Sequence, residues 1–458
     1  MADVVLGADL GTSGLKLVAL ADDGAVVAEA EVGYEPDRPH PGWAQSDVGT
    51  WLRALATGFD RLGPLPGARV RGLGLSGQMH GAVLVDERGG PVAPALLWPD
   101  ERAAAELAGW RALPPADRAA LANPLVAGMT GPLVAWLAAH EPATVARAAT
   151  VLLPKDAVRA ALVPGADPAV TDRSDASATL LWDVPADDWS PAAVAAAGLD
   201  PTMLPAVRPA TEVVGEARTP VGDLPVVVGG ADTPLALLAS GADGVQVNLG
   251  TGAQVLLPGW SPAPADDPPV HGYADVADGW YAMAALRNGA SAWPEAARML
   301  GLPTAEFFAA AAAAPAGAGG GSVRPFLAGE RGGVAGPGER GSWRGLGPGT
   351  TRAELARAAL EGVVFAVEAG LRLLEPPEGA VVVTGGGARS EVVRQLLADV
   401  LGRPVRYLRL RSASAVGAAL LAGRGTGMEI EPQRHPEPLV QPHPDPALAA
   451  ARERWTAG

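Results

Sequence analysis

The chain has 458 residues, roughly two to three times one ordinary domain, so two domains around one cleft are expected. A formal net charge of −15 opposes partnership with nucleic acid or an anionic membrane surface. The absence of cysteine excludes disulfides, thiolate zinc sites and cysteine nucleophiles, which leaves catalysis to carboxylate, His, Lys, Arg or hydroxyl groups.

The first apolar run, Val4-Val5-Leu6-Gly7-Ala8-Asp9, meets the break Gly11-Thr12-Ser13-Gly14 and then Leu15-Lys16-Leu17-Val18-Ala19-Leu20. This is a hairpin pattern, and a third strand at 25–30 makes it an antiparallel meander. Asp9 and Lys16 interrupt the apolar stretch and no basic n-region precedes it, so no signal peptide is expected. With no apolar run long enough to span a bilayer, a cytoplasmic protein is the reading.

A helix is expected over 51–62, a strand over 71–76, and a loop at Gly77-Gln78-Met79-His80-Gly81. Residues 101–165 alternate Ala/Leu-rich helical stretches with Pro breaks. From Pro225 the opening pattern returns: an apolar strand ends at Asp232, then 244–249 and 254–257 flank the turn Gly250-Thr251-Gly252. Strand, Gly-Thr turn and strand therefore occur twice, a hint of internal duplication. Later, 380–384 reads as a buried strand, Gly385-Gly386-Gly387 as a tight loop, and 390–401 as an amphipathic helix capped by Ser390. Two stretches, 309–321 and the Pro/His-rich 431–446, read as loose surface.

A Gly-Thr hairpin aims backbone N–H groups and hydroxyls at one spot, which suits phosphate oxygens, and a carboxylate such as Asp9 at the strand end suits Mg²⁺. Two such hairpins suit two lobes gripping one triphosphate. Asp232, at a strand end, can take the proton of an attacking hydroxyl, or it can simply cap the helix that follows. Gln78, Met79 and His80 offer polar atoms and an apolar face to a polyol, although a lone His is commonly structural. Trp98 can platform a sugar and Asp100 can accept its hydroxyls; the plain alternative is a core Trp and a surface Glu101–Arg102 salt bridge. Lys155-Asp156 is either functional or a helix start. Neither a G-x-x-x-x-G-K-[ST] loop nor a protein-kinase catalytic loop is present, so phosphoryl transfer would need an actin-like scaffold.

Together, Asp9-Leu10-Gly11-Thr12-Ser13, Gly77-Gln78-Met79-His80-Gly81, Leu152-Leu153-Pro154-Lys155-Asp156, Ser174-Asp175-Ala176-Ser177, Gly329-Glu330-Arg331 and Gly385-Gly386-Gly387-Ala388-Arg389-Ser390 resemble the FGGY carbohydrate kinases. The motifs occur in family order across about residues 4–424, and two of them are similar to the xylulokinase forms. The resemblance implies an α/β protein of two ribonuclease-H-like (actin/hexokinase-type ATPase) lobes around a central cleft. It implies ATP and Mg²⁺ in that cleft and phosphoryl transfer to a sugar, D-xylulose first. By resemblance Asp232 is the catalytic base and Asp9 the metal-side carboxylate. By the same resemblance Met79 and His80 are the sugar-contact pair, and Gln78, Trp98, Asp100 and Thr233 join them as sugar candidates on the chemistry of their side chains. Gly11, Thr12, Ser13, Lys16, Gly250, Thr251, Gly289, Gly386, Gly387 and Ser390 fall to the nucleotide.

Three positions depart from the xylulokinase pattern: Thr233 stands where Asn is common, Pro99 where Asn is common, and Gly252 where Ser is usual. Loss of two amides removes recognition groups, and such losses shift substrate preference by orders of magnitude. Ribulose, glycerol or erythritol kinases are therefore the alternatives, followed by a non-kinase actin-like ATPase or a sugar-sensing pseudokinase. The expected organisation is an N-terminal lobe at 1–243, a C-terminal lobe at 244–424 and a tail at 425–458. The expected partners are a small-molecule sugar and ATP, with a homodimer allowed and neither nucleic acid nor membrane.

Overall fold

A computed structural model describes residues 2–330 and 333–457, so Arg331 of the Gly-Glu-Arg motif lies outside the described residues. Two seven-stranded mixed sheets form the frame. In the first, the hairpin Ala2–Leu10 and Gly14–Ala21 pairs antiparallel, and Ala2–Leu10 runs parallel to Ala68–Gly77 on its other side. The second sheet repeats this plan: Gln246–Leu249 pairs antiparallel with Ala253–Pro258 and parallel with Val381–Thr384. The duplication visible in the sequence is thus a duplication of architecture.

Helix Val48–Leu62 covers one face of the first sheet because Val48, Trp51, Leu55, Phe59 and Leu62 recur at helical spacing and bury together against Leu6 and Leu17. Its other face is closed from far along the chain. Helix Ala413–Gly425, which follows strand Val405–Arg409 of the second sheet, lies on Val5, Val18 and Leu20 and against helix Asp232–Ser240. Gly7 and Gly74 make this approach feasible: a Cβ on either would stand 1.9 Å from a carbonyl oxygen of that helix. The 244–424 stretch is therefore shared between the two sheets in space.

The second sheet buries one face under helices Arg352–Leu373 and Glu391–Leu401. Its other face, through Leu256, Tyr273, Tyr281 and Met283, packs on the helical region between 101 and 204, with Leu133, Val134 and Leu137 opposite. Asn123 stitches this seam by giving and accepting hydrogen bonds with the backbone of Gly272 at 2.9 and 3.1 Å.

Most of 431–446 lies at the surface, as its composition implied, yet the tail as a whole is docked. His435–Pro436 extends the second sheet, and helix Pro446–Ala457 buries Leu448, Ala451 and Trp455 in that lobe's core. One face of this short Ala-rich helix supplies the anchors, and the Pro/His stretch before it carries the chain there. Ser390 occupies the N-cap position of helix Glu391–Leu401, but its side chain makes no capping hydrogen bond.

Candidate active site

A cleft of about 290 Å³ opens between the two sheets. Thr12, Gln78, Met79, His80, Trp98, Asp232 and Thr233 line it from the first lobe, and Asn248, Gly250, Thr251 and Gly252 face them from the second. Both Gly-Thr turns therefore look into one space, and the Gln-Met-His loop forms a wall between them.

On the first-lobe side the turn is held shut by Gly11 N–H on the Gly14 carbonyl at 3.0 Å. Tyr34 donates its hydroxyl to the Gly11 carbonyl at 2.7 Å. Thr12 donates to Gln78 Oε1 at 3.2 Å and accepts from Trp98 Nε1 at 2.8 Å. That pairing fixes the Gln78 amide, whose Nε2 is buried and, among the described residues, has no hydrogen-bond partner. A donor left this way at a cleft wall suits a ligand hydroxyl. Ser13 is exposed on the same turn, and Lys16 stands opposite Asp9 in the hairpin register.

His80 adopts a left-handed backbone with φ 63°, uncommon for a residue with a side chain. Its Nδ1 lies 2.6 Å from the Ala178 carbonyl, so that nitrogen carries hydrogen and, in the neutral ring, Nε2 is the acceptor. Met79 is buried and receives the Tyr281 hydroxyl at 3.6 Å on its sulfur.

Asp9 and Asp232 are the carboxylates beside these turns. Asp9 accepts from Ser76 Oγ at 2.9 Å. Its pKa is raised, chiefly by desolvation, with Ser76 and Lys16 pulling the other way. Asp232 opens helix Asp232–Ser240 at its first position, with Ala231 as the N-cap residue. Desolvation and the neighbouring Asp9 charge push it up to about 7, although Thr233 donates to its Oδ1 at 3.3 Å. A carboxylate poised near neutrality is suited to accepting a proton.

The nucleotide-side glycines gather behind the second turn. Gly289 and Ala290 donate their N–H groups to the carbonyls of Thr251 and Gly250 at 3.0 and 2.9 Å. A Cβ on Gly289 would meet the Gly252 carbonyl oxygen at 2.2 Å, so only glycine lets the two segments touch. Gly387 packs on Leu249 and Ala290, whereas Gly386 is exposed with open space before it and Ser390, three residues after Gly387, is half-buried. Glu330 organises this layer by accepting from the N–H of Arg287 and Asn288 and from the Asn288 amide.

Two expectations need correction. Asp100 does not line the cleft: it is buried, and its carboxylate accepts from Ala44 N–H at 2.7 Å and is paired with Arg102 at 2.8 Å. The salt bridge of that loop is accordingly this buried one, where the sequence suggested a surface Glu101–Arg102 pair. Lys155 is at a helix start, as the sequence allowed, in the first turn of helix Pro154–Leu162, and it is fully buried among Asp156, Asp172 and Asp175.

Sequence reasoning missed His271, Asn248, Gln254, Val126, Met129 and Met283, all in the cleft lining. His271 accompanies Tyr273 at 2.6 Å from its hydroxyl to Nδ1. Asn248 and Gln254 flank the second Gly-Thr turn and bond each other at 3.1 Å, so a search of the residues bracketing that turn would have found them. His271 carries no comparable local signal.

Two seven-stranded sheets, duplicated Gly-Thr turns and a desolvated carboxylate in the lining between them are the parts of a two-lobed phosphotransferase cleft. The sequence matches the N-terminal domain of the FGGY family of carbohydrate kinases over residues 4–239 and its C-terminal domain over residues 245–426. The chain belongs to this family. It is 33% identical to a xylulose kinase of Escherichia coli over 97% of this chain and 96% of that one. It is 34% identical to a xylulose kinase of Klebsiella pneumoniae over 96% and 92%. Among solved structures, a xylulose kinase from Rhodospirillum rubrum superposes with a TM-score of 0.87 at 29% identity, over 99% of this chain and 97% of that one. The protein is thus an ATP-dependent carbohydrate kinase. No described helix is long and apolar enough to cross a membrane.

Proposed function

We propose that the chain phosphorylates D-xylulose on its terminal hydroxyl with ATP as donor, and that Asp232 is the general base. The observation that carries this reading is the placement of Asp232 in one cleft with both Gly-Thr turns and the Gln78-Met79-His80 wall. Asp232 takes the proton as the sugar oxygen forms its bond to the γ-phosphorus and the bond to the β,γ-bridging oxygen breaks, releasing ADP. The Thr12 and Thr251 turns present N–H and hydroxyl groups to the phosphates. Gln78 Nε2 and His80 orient the sugar, with Met79 and Trp98 as its apolar surface.

Among the described residues no group of three or more His, Asp or Glu side chains is arranged to hold a metal by itself. Mg²⁺ is commonly held by one or two carboxylates plus phosphates and water, and Asp9, whose charge reaches Asp232, would be its carboxylate here. When bound, the ion would neutralise phosphate charge. The similarity to the xylulose kinases supports D-xylulose. Thr233 lines the cleft and donates to the base, whereas Pro99 is outside the lining. The use of ATP as donor supports a cytoplasmic location.

An ADP-release assay with ATP and Mg²⁺ over D-xylulose, L-xylulose, D-ribulose, L-ribulose, glycerol and erythritol tests the reading. Preference for D-xylulose supports it. Preference for another acceptor would mean that Thr233 and its neighbours select a different sugar.

A further inference from the structure

Fully buried Lys155 stands behind the cleft wall with its Nζ 2.6 Å from Asp156, 3.0 Å from Asp172 and 3.1 Å from Asp175. Burial alone would depress its pKa, but the three carboxylates together outweigh that and hold the ammonium above its usual value. From this cluster one chain of bonds runs toward the cleft. Asp172 Oδ1 faces Lys155, and its Oδ2 accepts from both the N–H and the hydroxyl of Ser174. The Ser174 hydroxyl has a single hydrogen and gives it to Asp172, so its oxygen accepts on the remaining side. There it receives the N–H of Ala231 at 3.0 Å.

Ala231 is the residue before Asp232. It caps the helix that Asp232 opens and sits in register with Gly77, the last residue of strand Ala68–Gly77, just before the Gln-Met-His loop. On the other side, Ser414 donates its hydroxyl to the Asp232 carbonyl at 2.9 Å. The backbone carrying the carboxylate is therefore clamped from before and behind, and the front clamp is polarised in one direction by a buried ion cluster.

We propose that Ser174 is a positioning residue for Asp232, acting through the Ala231 N–H and oriented by the Lys155–Asp172 pair. The inference rests on the base role proposed for Asp232. A shift of about 1 Å in a reacting group can cost on the order of a hundredfold in rate, so loss of one such bond has a kinetic signature beyond stability.

The test is a mutant cycle: Ser174→Ala, Asp232→Ala and the double variant, with kcat, both KM values, the pH dependence of kcat and Tm measured on each. The expected result for Ser174→Ala is a fall in kcat of about ten- to a hundredfold with a displaced acid-limb midpoint and an unchanged KM for ATP. In the Asp232→Ala background the same substitution has no further effect, because the group it positions is gone. Ser174→Thr, which keeps the hydroxyl, recovers most of the rate. If Ser174→Ala does not fold, Ser174→Cys, close in shape with a weak acceptor, takes its place in the cycle. A lowered Tm with unchanged kcat and midpoint would overturn the inference, as would an undiminished loss in the Asp232→Ala background. Full activity of Asp232→Ala alone would instead overturn the base reading itself.

Discussion

Asp9 and Gly230 meet the same residue from opposite sides: both pair in register with Ser76, so Asp9 and Asp232 leave the sheet from strands flanking one central strand. The two carboxylates are thereby neighbours although 223 positions separate them in the sequence, and each is desolvated. Their charges repel, and the repulsion contributes to the raised pKa of Asp232.

A pH profile follows. With Asp232 titrating at about 7 and its ionised form acting as base, kcat/KM falls about tenfold per pH unit below that midpoint. Asp9→Asn removes the neighbouring charge and moves the midpoint down, toward the ordinary carboxylate range. A rate profile of both proteins, with sugar below its KM, checks it; an unmoved midpoint would mean desolvation alone sets the value.

Stability follows the same group with the opposite preference. The folded protein binds the Asp232 proton more tightly than the unfolded chain, whose value is near 3.8, so stability is lost as pH rises from about 4 through about 7. Asp232→Asn removes that loss. The variant is more stable than the parent at about pH 8, by at most about 2 kcal/mol because the carboxylate faces the water of the cleft, and gains nothing at about pH 4. Urea melts at the two pH values read the difference.

His80→Ala raises the KM for the sugar by roughly ten- to a hundredfold and leaves that for ATP within about twofold, since the residue lies on the Gln-Met-His wall. Steady-state kinetics with each substrate varied separate the two effects. A change confined to ATP would remove His80 from the sugar wall.

Trp455 tests the docked tail. It is buried against Phe326 and Phe365 and donates Nε1 to the Val323 carbonyl at 2.7 Å. Trp455→Ala costs about 3–5 kcal/mol in denaturant titration and leaves kcat per folded molecule unchanged. A cost below about 1 kcal/mol would show that the helix contributes little to the second lobe.

The local parts of this design were legible in the sequence. Alternating apolar runs around Gly11 and Gly250 specify hairpins because strand and turn preferences act over a few residues. What stayed hidden is set by contacts across hundreds of positions. Helix Ala413–Gly425 is apolar nearly all round, so nothing local assigns it to the first sheet; Gly7 and Gly74 encode its seat far upstream. Asp100 read as a sugar ligand because its partners, Ala44 N–H and the folded-back Arg102, are visible only once the loop is closed. His271 reaches the cleft only because its strand packs on the helical region of the first half, a fact no spacing records.

The central claim is that Asp232 takes the proton from a sugar hydroxyl during phosphoryl transfer. Its most direct test is single-turnover transfer from γ-labelled ATP to D-xylulose at about pH 8, comparing the parent with Asp232→Asn. Labelled sugar phosphate is expected from the parent, and a rate lower by a factor of about 10² to 10⁴ in the variant, with ATP bound equally by both. Labelled sugar phosphate appearing at the parental rate in the variant would contradict it.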